Sequence, residues 1–302
     1  MAKRLLSASV IIAILLGVIY LDLKEPLVDV PGLWLVPIFF VLSLLAAGEV
    51  ITLLEEGGQA TSRWAVLLGV VLVDLAVCIP ILARVVGQEY PADCPVGRAG
   101  LPLVGMAAAV IVIFFAEMLS YDPDRPVIPR VAAGVLAVGY VGVLGSFLVL
   151  VRGLGSPETG MAALLSVIFV TKMSDSGAYF VGKSIGRHKL APKLSPGKTI
   201  EGLVGGVVFG CLASLLFFHV VIDWLVVDPK RPALALCLLY GLVLTLVGVV
   251  GDLAESLLKR HAGQKDSSRW LPGLGGVLDI LDSLLFAFVV GYLFWVAGLL
   301  GI

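Results

Sequence analysis

Charge is scarce in this chain. Asp, Glu, Lys and Arg make up 14% of its 302 residues, where a soluble domain carries about 25%. With 59% hydrophobic residues and a mean hydropathy of +1.07, too little polar surface remains to cover a water-facing globule, so a soluble protein is excluded. A surplus of positive charge is missing as well: the formal net charge is −1, which argues against nucleic acid as a partner. The three histidines, His188, His219 and His261, stand apart from one another. The four cysteines, Cys78, Cys94, Cys211 and Cys237, form no CxxC and no Cys/His spacing, so neither a zinc centre nor a redox pair is indicated and they read as packing residues. No gap between apolar runs reaches twenty residues, which leaves no room for an inserted soluble domain.

What is present is hydrocarbon in helix-length blocks. A transmembrane helix needs about 20 mostly apolar residues. Nine segments qualify, roughly 5–21, 33–54, 64–86, 101–119, 127–151, 160–182, 200–225, 233–258 and 277–301. In lipid the backbone must satisfy its own hydrogen bonds, so these runs predict helices and an all-α polytopic membrane protein of about nine spans. The first run follows Lys3-Arg4, is longer than the core of a cleaved signal peptide and has no A-x-A-like site, so a retained span is expected. With the N-terminus in the cytoplasm, 14 of the 21 Lys and Arg fall in inside segments and 6 outside, Lys172 lying within a span. By the positive-inside rule this bias makes the two long basic loops, 183–199 and 259–276, cytoplasmic. Spans 1–5 (1–158) then read as scaffold, and 159–302 as the working region.

A charged side chain at mid-bilayer costs roughly 2.5–3.5 kcal/mol on insertion scales, so each needs a reason. In "TKMSDSGAY", Lys172 and Asp175 share a helical face with Ser176 and Tyr179. In "GDLAESLLKR", Asp252, Glu255, Ser256 and Lys259 form one polar stripe on an apolar helix, and "GGVLDILDS" places Asp279 and Asp282 on one face of a first turn. Helix glue and dipole compensation would explain any one pair. Three clusters expected at one depth beside two cationic loops point instead to a site. Carboxylates of this kind make a hard-oxygen cage suited to Mg²⁺, which fills its shell with water and substrate phosphates. Glu49 and Glu117, near the inner ends of their spans, fit a supporting or an interface role equally. Asp74, mid-span without a sequence partner, reads as structural.

The loop "GRHKLAPKLSPGKTIEGLVGG" invites a P-loop reading through its GKT. A Walker A needs glycine five residues before its second glycine, and that position is Pro192, so the reading fails. What remains is a turn at Ser195-Pro196-Gly197, with Lys198 and Thr199 at a helix start whose free N–H groups suit an anion. A plain positive-inside anchor loop explains the same composition.

The segments "SDSGAYFVGKSIGRHKLAPKLSPGKTIEG" and "GDLAESLLKRHAGQKDSSRWLPGLGGVLDILDS" resemble the phosphatidate cytidylyltransferases, in register and order over Thr171–Ser283. The "AAGEV" of span 2 is similar to an acidic position of that family. The resemblance implies transfer of CMP from CTP to phosphatidic acid in the bilayer, with release of pyrophosphate and a requirement for Mg²⁺, a second cation being left open. It implies Asp252 and Asp279 as metal ligands, with Asp282 close by and Asp175 as a further candidate, and Lys259 beside them in the catalytic group. Ser195, Lys198, Thr199, Ser256, Arg260, Lys265, Asp266 and Ser267 are implied in nucleotide and phosphate binding. A homodimer and a location in the cytoplasmic membrane, active site facing the cytoplasm, complete the expectation. Two positions depart from the family pattern: Leu274 stands for its histidine and Ile280 for its arginine, with Arg269 as the nearby candidate replacement cation. Other readings stay open: a CTP-dependent polyprenol or lipid kinase, a CDP-lipid synthase for a different lipid, and an ion-coupled transporter using Lys172 and Asp175.

Overall fold

The computed structural model describes residues 2–268 and 275–300, with side chains from Ala13 onward. Helices dominate it: α1 (Ala2–Lys24), α2 (Leu35–Glu56), α3 (Arg63–Val85), α4 (Gly97–Leu119), α5 (Val127–Arg152, with a π-helical stretch at Val138–Val143), α6 (Pro157–Ile185), α7 (Ile200–His219), α8 (Leu234–His261) and α9 (Leu278–Val296). Among the described residues, eight helices, those from α2 to α9, are long and apolar enough to cross a membrane. Helix α1 coincides with the first apolar run. The chain is therefore an all-α polytopic membrane protein.

Two findings differ from the sequence reading. Helix α9 closes at Val296, short of 301. The loop after α6 carries a two-stranded antiparallel hairpin, β1 (Lys189–Ala191) and β2 (Ser195–Thr199), paired Lys189↔Thr199 and Ala191↔Ser195. Ser195-Pro196-Gly197 is thus strand rather than turn. The pairing wins because Pro192–Leu194 makes the reversal and Ile200 N–H donates to His188 O at 2.9 Å, extending the ladder into α7.

The chain divides into two compact units. The first comprises Met1–Leu150 with Leu258–Ile280. Its core is small-residue packing: a Cβ on Gly105 of α4 would meet Val73 Cα of α3 at 2.6 Å, and one on Gly69 would meet Ala109 Cβ at 2.9 Å. Only glycine allows backbones this close, the usual route to helix association where lipid supplies no hydrophobic drive. Asp74 is fully buried in α3 of this unit. Glu117 is tied to Arg130 by contacts of 2.7 and 3.1 Å, a two-pronged pair that settles Glu117 as a packing group.

The second unit comprises Val151–Leu257 with Leu281–Ile302. Glycines 202, 206 and 210 recur every four residues along one face of α7, and that face lies against α6 and α8: Cβ atoms built on Gly202 and Gly210 would collide with Ala178 and Thr245, and one on Gly206 would sit tightly against Ala178 and Ser174. Beneath lies a buried aromatic group, Phe217, Phe218, Tyr240 and Trp295. Its polar tips meet on Ser166, whose hydroxyl lies 2.8 Å from Tyr240 Oη and accepts from Trp295 Nε1 at 3.2 Å. This packing fixes the rotation of α8 and α9 about their axes, and so decides where their acids point.

Candidate functional site

In the second unit three acids lie close together. Asp252 and Glu255 of α8 and Asp282 of α9 each offer a carboxylate oxygen within 4.8 Å of the others. Glu255 is 1% exposed and Asp282 8%. Close approach of α8 and α9 makes this possible, because Gly251 lies flat against the Asp282 carbonyl where any Cβ would overlap it. Three carboxylates so near repel one another in a partly buried setting, a repulsion that a shared cation would offset. A compensating charge lies beside Asp252: Lys198 Nζ of β2 is 2.7 Å from its Oδ2. The donor set, all hard oxygen with no sulfur or nitrogen, fits Mg²⁺. Glu255, part of the polar stripe but unassigned from sequence, is the member that sequence reasoning missed.

Beside this trio, Lys172 donates to Asp175 Oδ2 at 3.4 Å and to Ser283 Oγ at 3.1 Å, and Ser283 Oγ donates to Asp175 Oδ2 at 3.0 Å. Asp175 is therefore engaged in a network of its own rather than in the group of three. Ser256 Oγ donates to Asp252 Oδ1 in a long contact of 3.5 Å.

The hairpin loop delivers Lys198 and caps α7. Thr199 is the N-cap, its hydroxyl accepting from Gly202 N–H at 3.1 Å. The close approach of Gly182, Gly186 and Gly202 to Thr199 Oγ1 packs that cap against α6. Buried at 7% exposure, Thr199 has a structural task that its sequence position alone did not reveal. Glu201, in the first turn of α7, ties the loop to the helix. It accepts from the Arg187 and His188 backbone N–H groups and lies 2.6 Å from His188 Nδ1, so His188 is not isolated.

In the first unit a second acidic arrangement forms. Asp279 Oδ1 accepts from Lys259 Nζ at 2.7 Å, and Oδ2 from Ser267 N (3.0 Å), Ser267 Oγ (2.7 Å) and Gly276 N (2.8 Å). The Lys259 and Asp279 side chains are 11% and 15% exposed. Glu49, from α2, accepts from Ser267 Oγ (2.9 Å), Ser268 Oγ (2.7 Å), Val277 N (3.0 Å) and Leu278 N (2.8 Å). The two carboxylates clasp residues 267–268 and 276–278 from both sides. Gly276 is required there, since a Cβ would sit on Ser267 Oγ and the Glu49 carboxylate. Gly276→Ala is accordingly expected to lower stability by about 1–3 kcal/mol, the usual cost of overpacking, read as a lower melting temperature in detergent.

Glu49 and Ser267 also line a cavity of about 760 Å³ in this unit, with Arg63, Gln264, Lys265 and Asp266 among its polar walls and Leu44, Leu45 and Leu67 among its apolar ones. That volume lies in the usual range for a small-molecule site. Arg260 Nη1 donates to Gln264 O at 3.0 Å, which braces the turn carrying Lys265. Ser195 sits on β2, three residues before Lys198. Arg269 and Leu274 lie outside the described residues. Ile280 is described, in the first turn of α9.

Fold and chemistry define a multi-span membrane protein with carboxylates and lysines gathered at its helix ends. The chain belongs to the cytidylyltransferase family, whose model matches residues 2–297. It is similar to the phosphatidate cytidylyltransferase of Bacillus subtilis (strain 168), with 41% identity over 164 residues, 54% of this chain and 57% of the relative. That of Haemophilus influenzae is 36% identical over 178 residues, 59% and 60% of the two chains. That of Staphylococcus aureus (strain COL) is 39% identical over 152 residues, 50% and 54%. The matched stretches thus cover less than two thirds of each relative.

Proposed function

We propose that the chain transfers CMP from CTP to phosphatidic acid, giving CDP-diacylglycerol and pyrophosphate. The observation that carries the reading is the trio Asp252, Glu255 and Asp282, oxygens within 4.8 Å, with Lys198 2.7 Å from Asp252. Family membership and the names of the relatives support it. Asp252, Glu255 and Asp282 would hold Mg²⁺, which when bound supplies Lewis-acid neutralisation of phosphate charge. Asp279 stands as a further ligand from the resemblance; in this structure its oxygens face Lys259, Ser267 and Gly276.

The lipid phosphate is already anionic and needs no base to become a nucleophile. Its oxygen attacks the α-phosphorus of CTP, a new P–O bond forms, and the bond to the β-phosphate oxygen breaks as pyrophosphate leaves. The protein's part is positioning and charge stabilisation. Lys198, beside the trio, neutralises phosphate oxygens; Lys259 keeps the catalytic part that the resemblance implies, and in the first unit Lys265 and Ser267 border the cavity. Diacyl chains stay in lipid, the site faces the cytoplasm of the cell membrane, and the chain works as a homodimer.

Labelled CTP tests this on purified protein in detergent with Mg²⁺ and phosphatidic acid. Label from the α-phosphate is expected in the lipid, and label from the γ-phosphate is not. Transfer of γ-label would make the protein a kinase, and transfer of neither label would remove the reading.

A further inference from the structure

We propose that Glu49 is a positioning residue for this reaction, holding the Ser267–Asp279–Lys259 group in place from α2. The inference rests on the cytidylyltransferase reading and deepens it. Helix starts expose N–H groups that a side chain close in sequence usually satisfies. At the start of α9 the N–H groups of Val277 and Leu278 donate instead to a carboxylate 228 and 229 residues earlier in the chain. The positive end of the α9 dipole favours an anion there, but capping alone would need one oxygen. Glu49 uses both, and each reaches to both sides of the clasp. Oε1 takes Ser268 Oγ with Val277 N, and Oε2 takes Ser267 Oγ with Leu278 N.

The consequence falls on Asp279. Three of its four donors, Ser267 N, Ser267 Oγ and Gly276 N, belong to the backbone segments that Glu49 grips. The direction of the Asp279 carboxylate, and through it of Lys259 Nζ at 2.7 Å, is therefore set by Glu49. The Ser267 hydroxyl lies 2.9 Å from Glu49 and 2.7 Å from Asp279 and has one hydrogen to share between them. Glutamine cannot substitute, because its amide nitrogen would face donors rather than accept from them. Aspartate is one methylene short of reaching both sides.

The test compares wild type, Glu49→Gln, Ser267→Ala and the double variant in purified protein. Each is assayed for α-label incorporation, melting temperature and amide exchange at Val277 and Leu278. Glu49→Gln is expected to lower kcat roughly 10–100-fold, the usual effect of losing a partner that orients a reactive group. KM for CTP and for lipid should stay within a few-fold, with faster exchange at both amides. The double variant should lose no more than Glu49→Gln alone, because the effect runs through Ser267. If exchange rises while kcat stays at the wild-type value, or if the two single losses simply multiply, Glu49 is a packing residue and the inference is overturned. A wild type that incorporates no label removes the cytidylyltransferase reading and this inference together.

Discussion

Asp252→Asn is expected to lower CMP transfer by on the order of 10²–10³-fold while leaving the helices folded. Asp252 belongs to the only group of three acids close enough to share a cation among the described residues, and it is the member that faces a lysine, at 2.7 Å. Asparagine keeps the shape and removes the charge, so a metal held by three carboxylates would keep two. Preorganised charge stabilisation of this sort is worth on the order of 10²–10³-fold in kcat per group, and loss of the Lys198 partner adds to it. Titrating Mg²⁺ against label incorporation provides the check. The midpoint should move to higher Mg²⁺ in Asp252→Asn and in Asp282→Asn, and by much less in Asp175→Asn, whose carboxylate is engaged with Lys172 and Ser283. An unchanged midpoint in Asp252→Asn would exclude the trio as the cation site.

The second large effect is expected at Asp279, and here activity and stability separate. Lys259 and Asp279 form a pair 2.7 Å apart with side chains 11% and 15% exposed. Asp279→Asn removes one charge of a buried pair, and breaking such a pair costs about 3–5 kcal/mol. Catalysis should fall by on the order of 10²-fold or more, because Lys259 loses the group that aims it. Adding Lys259→Met removes the other charge of the pair. The double variant should recover most of the melting temperature and none of the activity. If activity returned with stability, the pair would be a fold element and no part of the reaction.

The sequence by itself determined the spans and the chemistry at their ends. Lipid leaves the backbone only helix or closed barrel, so runs of about 20 apolar residues define α2 to α9 to within about four residues at every end except the closing ends of α7 and α9. The Asp252–Glu255 stripe was equally legible, because i and i+3 share a face in any helix. Partners across helices were not legible. Whether Asp282 meets Asp252 depends on the rotation of two helices about their own axes, and that rotation is decided by glycine contacts such as Gly251 on the Asp282 carbonyl and Gly210 on Thr245.

Glu49 shows the limit most clearly. Its sequence position fits an interface residue as well as a working one, and only folding brings residue 49 to residues 267 and 278. At Thr199 the sequence placed a helix start, and the fold adds the cap itself, with its hydroxyl 3.1 Å from Gly202 N–H. The hairpin was hidden because strands of three and five residues with a proline inside show no alternation to read. Hydrophobicity is a property each residue carries into any fold, whereas a hydrogen bond needs two groups at about 3 Å. For groups distant in sequence, only the packed tertiary structure decides that distance.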